Sequence, residues 1–295
     1  MTQPTGGVAP ILEGKTGLRS SIELFTLKDR VCVITGAERG LGLEMALAYA
    51  EAGAIVYCLD LPPAPSEEFK RIQQYVSAQS PTVVGKEQGG QTLAKGRIEY
   101  ATCDVTKQDA VWALVNKIAD KEGRLDICVA CAGILRSAEV LEYKAADFQK
   151  IMDVNVNGVL FTAQAAGQAM VKHNSRGSII IIASMSGSIT NKGMHWTAYN
   201  TSKAAVIQMA RSLACELGPK GIRCNSISPG YVYTEMTKAF LHGNPQLEKE
   251  WCSQNPLGRL ANPQELQGIA LFLGSDASTF CTGSNLIVDG GQTAW

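Results

Sequence analysis

Short apolar runs rich in β-branched residues alternate with longer amphipathic stretches along most of this chain. Each run has the length of a buried strand, and each stretch has the length of a helix that covers one face of a sheet. Connections of this length join parallel strands through right-handed crossovers. The pattern predicts one α/β domain, doubly wound, with a mostly seven-stranded parallel sheet. The predicted strands are residues 30–35, 55–59, 98–102, 127–130, 178–183, 223–227 and 285–288.

Six predicted helices occupy the intervals between these strands, at residues 41–53, 67–78, 108–122, 145–173, 198–218 and 263–273. Residues 79–96, rich in Gly, Gln and Lys, are predicted to form a surface insertion between the second helix and the third strand. Residues 1–27 lack sustained periodicity, so they are predicted to be an N-terminal arm that is ordered only if it docks. The domain is therefore expected to span residues 28–295.

The charge balance argues against partners that select a strongly charged surface. Lys plus Arg and Asp plus Glu each total 27, so the formal net charge is zero, and no long basic run occurs. We therefore expect no nucleic-acid partner and no membrane partner. No apolar run approaches the ~20 residues that cross a bilayer, and the first residues lack the features of a secretory signal. These observations predict a cytoplasmic location.

Nine cysteines, an odd number without regular spacing, indicate reduced thiols rather than a disulfide framework. Cys128 and Cys131 form a C-x-x-C pair, which is compatible with a redox motif or half of a zinc site. Zinc needs four ligands, however, and no second C-x-x-C exists. Because the pair lies at the end of an apolar run, we interpret it as two buried thiols at a strand end and expect no metal.

A glycine-rich turn joins the first predicted strand to the first predicted helix. Its residues run Thr35-Gly36-Ala37-Glu38-Arg39-Gly40-Leu41-Gly42. Such a turn presents unpaired backbone N–H groups and the positive end of the helix dipole to a pyrophosphate, and glycine lets the phosphates approach. The spacing differs from the usual G-x-G-x-x-G fingerprint, and glycines also serve turns that bind nothing. The turn alone therefore leaves the ligand open.

Asp60 ends the second predicted strand, 18 residues after Gly42, close to the ~20 expected of an acid that binds an adenosine ribose. A carboxylate there accepts hydrogen bonds from both ribose hydroxyls and repels a 2′-phosphate, which favours NAD in a Rossmann-type domain. Arg39 favours NADP instead, since its guanidinium can pair with that phosphate. Leu61 and the two prolines after it add no second cation. NAD is the predicted cofactor, and NADP is the alternative.

Tyr199 and Lys203 stand four residues apart on a predicted helix, which brings a phenol and an ammonium to one face. A free tyrosine has a pKa of about 10, and a nearby cation lowers that pKa by favouring the phenolate. Tyr199 can then exchange a proton with a substrate oxygen. A Tyr-x-x-x-Lys pattern is common by chance, so this interpretation depends on the rest of the chain.

Taken together, these motifs resemble the short-chain dehydrogenase/reductase family over roughly residues 27–291. That family has Thr-Gly-x-x-x-Gly-x-Gly after its first strand, and its Tyr-x-x-x-Lys follows a strand that ends in a catalytic serine. The resemblance implies that Ser184 binds the substrate oxygen and that Tyr199 transfers the proton. It implies that Lys203 binds the nicotinamide ribose and lowers the Tyr199 pKa, and that Asn155 holds a proton-relay water.

The same resemblance implies a set of cofactor-binding residues. They are Gly36, Arg39, Gly40, Leu41, Gly42, Asp60, Leu61, Asp104, Val105, Ala132, Gly133, Tyr199, Lys203, Pro229, Gly230, Val232 and Thr234. In this set, Asp104 is expected at the adenine and Thr234 at the nicotinamide carboxamide. The chain departs from the family where Ala130-Cys131-Ala132-Gly133 replaces the usual Asn-Asn-Ala-Gly. We still expect the cofactor to bind, because Ala132 and Gly133 permit close backbone approach.

Several positions near the implied site stay open. Ser186 is the alternate to Ser184 at the same strand end, although the family spacing favours Ser184. His195 and Trp196 are candidates to line the pocket, and the alternative for His195 is an exposed loop histidine. Residues 233–257 fall where the family has its variable substrate lid, and plain helical packing is their alternative role. The larger apolar side chains of this segment include Met236, Phe240, Leu241 and Trp251.

The resemblance implies an oxidoreductase that transfers hydride between NAD(P) and a secondary alcohol or ketone. The Ser-Met-Ser-Gly and Tyr-Asn-Thr-Ser-Lys segments are most similar to fungal arabinitol, mannitol and sorbose or xylulose enzymes, so a sugar alcohol or ketose is the expected substrate. The alternatives are a ketoreductase for an apolar or carrier-bound ketone and a catalytically silent nucleotide sensor. The family also implies a homotetramer or homodimer through residues 145–173 and 198–218. Close helix packing there is expected from Ala163, Ala165, Ala166 and Ala169.

Overall fold

Seven parallel strands form one sheet at the centre of the protein. The computed structural model describes residues 6–79, 83–84, 91–92 and 96–295, with only the backbone at 83–84 and 91–92. The strands are β1 Val31–Thr35, β2 Ile55–Asp60, β3 Arg97–Thr102, β4 Ile127–Ala130, β5 Ser178–Ile182, β6 Arg223–Pro229 and β7 Asn285–Val288. Their order is β3-β2-β1-β4-β5-β6-β7. The predicted doubly wound α/β sheet is confirmed.

The winding of the sheet reverses at β1. This strand pairs in parallel with β2 on one side, where Val31 lies opposite Ile55, and with β4 on the other, where Cys32 lies opposite Ile127. Strands β1, β4 and β5 are buried along their whole length, as expected of strands covered on both faces. Open parallel sheets bind ligands beyond the carboxyl ends of the strands at such a reversal. The ends of β1 and β4 therefore mark the position of a ligand site.

Helices cover both faces of the sheet. They are α1 Val8–Leu12, α2 Gly40–Glu51, α3 Glu67–Ala78, α4 Gln108–Glu122, α5 Ala145–Met152, α6 Gly158–Lys172, α7 Thr197–Leu217, α8 Glu235–Leu241, α9 Pro245–Ser253 and α10 Gln267–Gly274. Helices α4, α6 and α7 bury residues such as Val115 and Val206 in one apolar core. Helices α2, α3 and α10 bury residues such as Met45 and Leu273 in the other. The sheet is thus closed on both sides.

Two predicted features of the helices are corrected. The single helix predicted over residues 145–173 is interrupted between α5 and α6 by a π-helical turn, Asp153–Asn157. A π-helical turn shifts the side chains after it relative to those before it, and such turns concentrate at functional sites. The alanines that were expected to pack between copies are fully buried in the core of α4, α6 and α7, because the inner face of α6 needs small residues there. They are Ala163, Ala165, Ala166 and Ala169.

The N-terminal segment docks on the domain through charge. Arg19 donates to Asp276 at 2.7 Å, and Asp276 also accepts from Arg30 at 3.0 Å. Leu27 is buried, and its N–H donates to the Ala52 carbonyl at the end of α2 at 2.9 Å. The predicted insertion at 79–96 lies mostly outside the described residues. Within the described part of the chain, no helix is long and apolar enough to cross a bilayer.

Candidate active site

At two of its glycines, the glycine-rich turn after β1 leaves no room for a side chain. Gly36 has φ +67°, and a β-carbon on it would stand 2.6 Å from the Ala132 Cα. A β-carbon on Gly42 would stand 2.3 Å from the Gly36 carbonyl oxygen. Gly40 has φ +60° and open space beside it. Backbone alone therefore forms a cradle at the start of α2, which fits the pyrophosphate of a dinucleotide.

Hydrogen bonds join the cradle to β4 and to Asp60, the acid that was predicted to select the cofactor. The Thr35 hydroxyl accepts from the Cys131 N–H at 3.2 Å, which joins the ends of β1 and β4. Asp60 accepts from the Glu38 N–H at 2.9 Å and from the Leu61 N–H at 2.8 Å. Asp60 thus fixes the turn as well as placing a carboxylate at the end of β2.

Glu38 is a second carboxylate here that the sequence analysis did not identify. It is buried, and its Oε1 accepts from the Ser66 N–H at 3.0 Å, at the beginning of α3. Arg39 beside it is exposed. The Glu235 pKa is lowered chiefly by a hydrogen bond from Lys238 and also by the charge of Arg39, so Arg39 lies near α8. The only sequence signal for Glu38 is its position inside the turn.

Asp104 and Val105 lie at the end of β3 and shape the next loop. Asp104 Oδ1 accepts from the Thr106 N–H at 3.0 Å and from the Thr106 hydroxyl at 2.7 Å, which closes a tight turn before α4. A β-carbon on Gly158 would stand 2.8 Å from Val105 Cγ2, so Val105 packs directly on the beginning of α6. The contact of these two residues with the adenine stays a prediction.

Tyr199, Lys203 and Ser184 come together where β5 ends and α7 begins. All three side chains are buried. The Lys203 ammonium lies 5.6 Å from the centroid of the Tyr199 ring and donates to the Ile182 carbonyl at 2.8 Å. The Ser184 hydroxyl lies beside the Tyr199 phenol, whose pKa it lowers in part, and accepts from the Ser186 N–H at 3.2 Å. The geometry therefore favours Ser184 over Ser186 as the partner of Tyr199.

Burial controls the proton affinities of this pair. It raises the pKa of Tyr199 to about 12, and the hydrogen bond with Ser184 lowers that pKa only in part. Burial lowers the pKa of Lys203 to about 8. The sequence analysis expected Lys203 to lower the Tyr199 pKa. In this structure the ammonium bonds to a backbone carbonyl and lies over the ring, so desolvation of the phenol dominates instead.

Asn155 stands on the π-helical turn and is fully buried. Its Nδ2 donates to the Ile134 carbonyl at 2.9 Å and to the Ser202 hydroxyl at 3.0 Å, and its Oδ1 accepts from the Ile134 N–H at 2.8 Å. A β-carbon on Gly133 would stand 3.5 Å from the Asn155 Oδ1 and 3.6 Å from the Lys203 Nζ. Gly133 thus leaves one small space that both polar groups border.

The loop after β6 carries the remaining predicted cofactor residues. A β-carbon on Gly230 would stand 2.6 Å from the Asp289 Cα, so only glycine fits at this position. Val232 pairs with Ala261 in an isolated bridge. Thr234 is the N-cap of α8, where its hydroxyl accepts from the Thr237 N–H. The Thr234 side chain therefore caps α8, the first helix of the predicted lid.

The lid segment, residues 233–257, consists mainly of α8 and α9 and packs on the side chains around Tyr199. Five rings from the lid, from α7 and its N-cap, and from the loop after β6 pack together, and we call them the aromatic cluster: Trp196, Tyr199, Tyr231, Phe240 and Trp251. Trp196 is the hub, with its ring centroid 6.1 Å from that of Tyr199 and 6.0 Å from that of Trp251. Tyr231 and Trp251 stack at 4.0 Å.

The two residues before α7 differ in solvent exposure, and so do two residues of the lid. Trp196 is buried against Tyr199, whereas His195 is 56% exposed and pairs with Glu139 at 3.1 Å. Trp251 is fully buried, and Met236 is exposed. Trp251 thus has the packing role that was the alternative for this segment.

Polar side chains at the aromatic cluster escaped the sequence analysis. Asn191 donates from Nδ2 to the Tyr231 hydroxyl at 3.1 Å. Burial raises the pKa of Tyr231, and Asn191 and Gln292 lower it in part. Gln292 Nε2 donates to Gln254 Oε1, at the end of α9, at 3.1 Å. These amides come from three distant segments, so no local motif could have joined them.

The two cysteines of the C-x-x-C pair lie on opposite faces of the sheet. Cys128 belongs to the core of α4, α6 and α7, and Cys131 packs against the core of α2, α3 and α10. Burial raises the pKa of both thiols. Among the residues that the structure describes, no group of three or more His, Cys, Asp or Glu side chains is placed to hold a metal.

The chain is similar over most of its length to known oxidoreductases. A protein-family model described as Enoyl-(acyl carrier protein) reductase matches residues 36–293. The short chain dehydrogenases/reductase notP′ of Aspergillus versicolor is 39% identical over 279 residues, which cover 92% of this chain and 90% of that protein. The sorbose reductase of Schizosaccharomyces pombe is 38% identical over 270 residues, or 91% of this chain and 97% of that protein. The ribulose-forming D-arabinitol 2-dehydrogenase of Candida tropicalis is 35% identical over 275 residues, which cover 92% of this chain and 95% of that protein.

Solved structures resemble the whole fold. A short-chain type dehydrogenase/reductase from Mycobacterium marinum superposes with a TM-score of 0.82 at 38% identity, covering 94% of this chain and 100% of that one. A gluconate 5-dehydrogenase from Burkholderia cenocepacia, solved with NADP and tartrate, gives a TM-score of 0.80 at 30% identity, with coverage of 94% and 100%. The similarity therefore extends from the glycine-rich turn to the C-terminal segment.

Proposed function

The chain belongs to the short-chain dehydrogenase/reductase family, and we propose that, as an NAD(P)-dependent oxidoreductase, it interconverts a sugar alcohol and the corresponding ketose. One observation carries this proposal: Ser184, Tyr199 and Lys203 meet in a single buried group beside the glycine cradle. Relatives named for arabinitol and sorbose support the substrate class. The residue roles below follow from the geometry of that group.

The residues of the cradle fit a nicotinamide dinucleotide. The backbone of the glycine-rich turn would hold the pyrophosphate, and Asp60 would hold the adenosine ribose. Lys203 and Gly133 border the space assigned to the nicotinamide ribose. When bound, the cofactor supplies or accepts a hydride at the substrate carbon. The carboxylates of Asp60 and Glu38 disfavour a 2′-phosphate, so we propose a preference for NAD, with NADP as the alternative.

Tyr199 is the proposed acid and base. In ketose reduction its phenol, neutral because burial raises its pKa to about 12, donates a proton to the carbonyl oxygen. Ser184, which lies beside that phenol, would turn its one hydroxyl proton to the same oxygen and stabilise the developing charge there. In alcohol oxidation the proton returns to Tyr199. Positive charge brought close to the phenol lowers its pKa and favours this direction.

Proton exchange with solvent is assigned to Lys203 and Asn155. The pKa of Lys203 is about 8, so its ammonium can release a proton near neutral pH. Lys203 and Asn155 border the same space beside Gly133, which supports a relay between them. Asn155 also fixes the Ile134 backbone, so it keeps the walls of that space in position.

A panel of substrates tests the function directly. Polyols with NAD⁺ and ketoses with NADH, followed by absorbance at 340 nm, should show turnover, whereas cyclic and long-chain apolar ketones should react poorly. Efficient reduction of the apolar ketones alone would identify the apolar ketoreductase instead. The absence of turnover with every compound, despite cofactor binding, would identify a silent nucleotide sensor.

We further propose a homotetramer or homodimer in the cytoplasm. Strand β7 is an edge of the sheet, its Ile287 is exposed, and Phe280 just before it is also fully exposed. These apolar groups suit contact with a second copy. None of the nine thiols is in a disulfide, as expected in a reducing compartment. Light scattering that finds only a 31.5 kDa species would refute the association.

A further inference from the structure

Trp196 packs directly on the proposed catalytic tyrosine. Its ring centroid lies 6.1 Å from that of Tyr199, with the two planes 73° apart, and both rings are buried. In the part of the chain that the structure describes, no second aromatic ring pairs with Tyr199. An edge-to-face contact is directional, so the orientation of the Tyr199 ring depends on the position of Trp196.

The Trp196 ring also receives both helices of the lid. Phe240 of α8 packs on it edge to face with 5.5 Å between the centroids, and Trp251 of α9 does so at 6.0 Å. Trp251 is stacked on Tyr231 as well, at 4.0 Å, which fixes α9 to the loop after β6. Trp196 therefore stands between the lid and the ring that carries the reacting phenol.

The backbone at Trp196 is held independently of its side chain. The Trp196 carbonyl accepts from the Asn200 N–H at 2.8 Å, which is the first hydrogen bond of α7. The His195 carbonyl accepts from the Ala138 N–H at 3.1 Å, which joins the segment before α7 to the loop after β4. A change of the Trp196 side chain leaves the atoms of these bonds in place. Its effect on catalysis therefore reports the contribution of the ring.

We propose that Trp196 is a positioning residue that transmits the packing of the lid to Tyr199. The rings of α8 and α9 fix Trp196 from the side of the lid, and Trp196 orients Tyr199 on its other side. Loss of a lid ring would free Trp196 and, through it, the phenol that transfers the proton. A small displacement of such a group from the reacting oxygen costs a large factor in rate. The assignment rests on the proposed function, and it makes turnover depend on a packed lid.

A double-mutant cycle of Phe240→Leu, Trp196→Leu and the double variant tests this link. The measured quantities are kcat and KM for a substrate that wild type turns over, and the Kd of NADH from its fluorescence. Phe240→Leu leaves the partner ring of Tyr199 in place, yet it should lower kcat roughly threefold to tenfold, the range of one aromatic pair. Trp196→Leu should lower kcat by roughly ten- to a hundredfold. In the Trp196→Leu background, Phe240→Leu should change kcat by less than about twofold, because the connecting ring is gone.

Two further variants separate positioning from general stability. Trp196→Phe restores an aromatic ring at the same place, so it should recover most of the kcat that Trp196→Leu loses. Trp112→Leu is the matched control, because Trp112 of α4 is a half-buried tryptophan that packs against the core of α4, α6 and α7. The control should lower the stability in urea and leave kcat unchanged. The Kd of NADH should stay near the wild-type value in every variant.

Losses in kcat that multiply independently in the cycle would overturn the link and leave the proposed function standing. If Trp196→Leu does not fold, Phe240→Leu decides the question: a lower kcat at unchanged NADH affinity supports the link, and an unchanged kcat overturns it. If wild type turns over an apolar ketone but no ketose, the sugar-alcohol function is refuted, and the same cycle with that ketone decides the link. If wild type turns over no compound, both are refuted.

Discussion

Asn155 donates a hydrogen bond from its Nδ2 to the Ser202 hydroxyl at 3.0 Å, across 47 residues of sequence. Ser202 in turn donates to the Tyr199 carbonyl at 2.7 Å. The π-helical turn that carries Asn155 is therefore joined to the first turns of α7, where the proposed proton donor stands. This link makes the position of Tyr199 depend on the π-helical turn between α5 and α6.

Asn155→Ala should lower both stability and turnover. The change removes three buried hydrogen bonds and leaves the Ile134 N–H and carbonyl without partners, at a cost of roughly 2–4 kcal/mol in the free energy of unfolding. Ser202→Ala, which removes the hydroxyl but spares the bonds to Ile134, should cost only about 1 kcal/mol. Urea denaturation and initial rates measure both effects. Full turnover in a folded Asn155→Ala protein would refute the role of Asn155.

Tyr199→Phe keeps the ring in the aromatic cluster and removes only the hydroxyl. Folding and cofactor binding should therefore survive, while kcat falls by roughly 10² to 10⁴ fold, the usual contribution of a general acid or base. Steady-state rates with a confirmed substrate, together with cofactor titration by fluorescence, measure the two effects separately. Near wild-type turnover in the folded variant would eliminate the mechanism whatever the fold.

Lys203→Met should stabilise the cofactor-free protein while abolishing its activity. The folded pKa of Lys203 is about 8, below the usual 10.5, so the unfolded chain binds the proton more tightly. The cost of burying the charge, about 3 kcal/mol, is complete below pH 8 and disappears as pH rises to 10.5. Thermal melts at pH 7 should therefore favour the variant, and the difference should vanish by pH 10.5. A variant that is less stable than wild type at pH 7 would contradict this account.

Gly42→Ala should disrupt the cradle for the cofactor. The added β-carbon would meet the Gly36 carbonyl at 2.3 Å, so the turn must open and cofactor affinity should fall at least tenfold. Gly268→Ala on α10 is the control, because that site is exposed and has open space. The control should bind cofactor normally and gain about 0.5–1 kcal/mol from the helix preference of alanine. Equal cofactor affinity in both variants would show that the turn does not hold the dinucleotide.

Asp60 should decide the choice between NAD and NADP. Wild-type protein is expected to give a higher kcat/KM with NAD(H) than with NADP(H), because the carboxylates of Asp60, at the end of β2, and Glu38, in the glycine-rich turn, would repel a 2′-phosphate. Asp60→Asn removes one charge but keeps an acceptor for the Glu38 N–H, so it should narrow that preference about tenfold without opening the turn. A wild-type preference for NADP(H) would show that Arg39 dominates.

The sequence by itself determined the architecture and the order of the motifs. Apolar runs of strand length and amphipathic stretches of helix length fixed the seven strands within a residue or two, because both periodicities are local properties of the chain. The glycine-rich turn could also be located from the local sequence. So could the pair Tyr199 and Lys203, because a spacing of four residues brings both to one face of α7. The interruption of the helix at Asn155 left no local signal, since a π-helical turn forms where tertiary bonds compensate for it.

Only the tertiary structure decided what surrounds these residues. Burial, which no local pattern reports, raises the pKa of Tyr199, and Ser184 lowers it only in part. The alanines of α6 face the protein's own core for the same reason. Asn191 and Tyr231 stand 40 residues apart in the sequence and meet through a hydrogen bond from the Asn191 amide to the Tyr231 hydroxyl. Such a meeting depends on how distant segments pack, so spacing in the sequence could not reveal it.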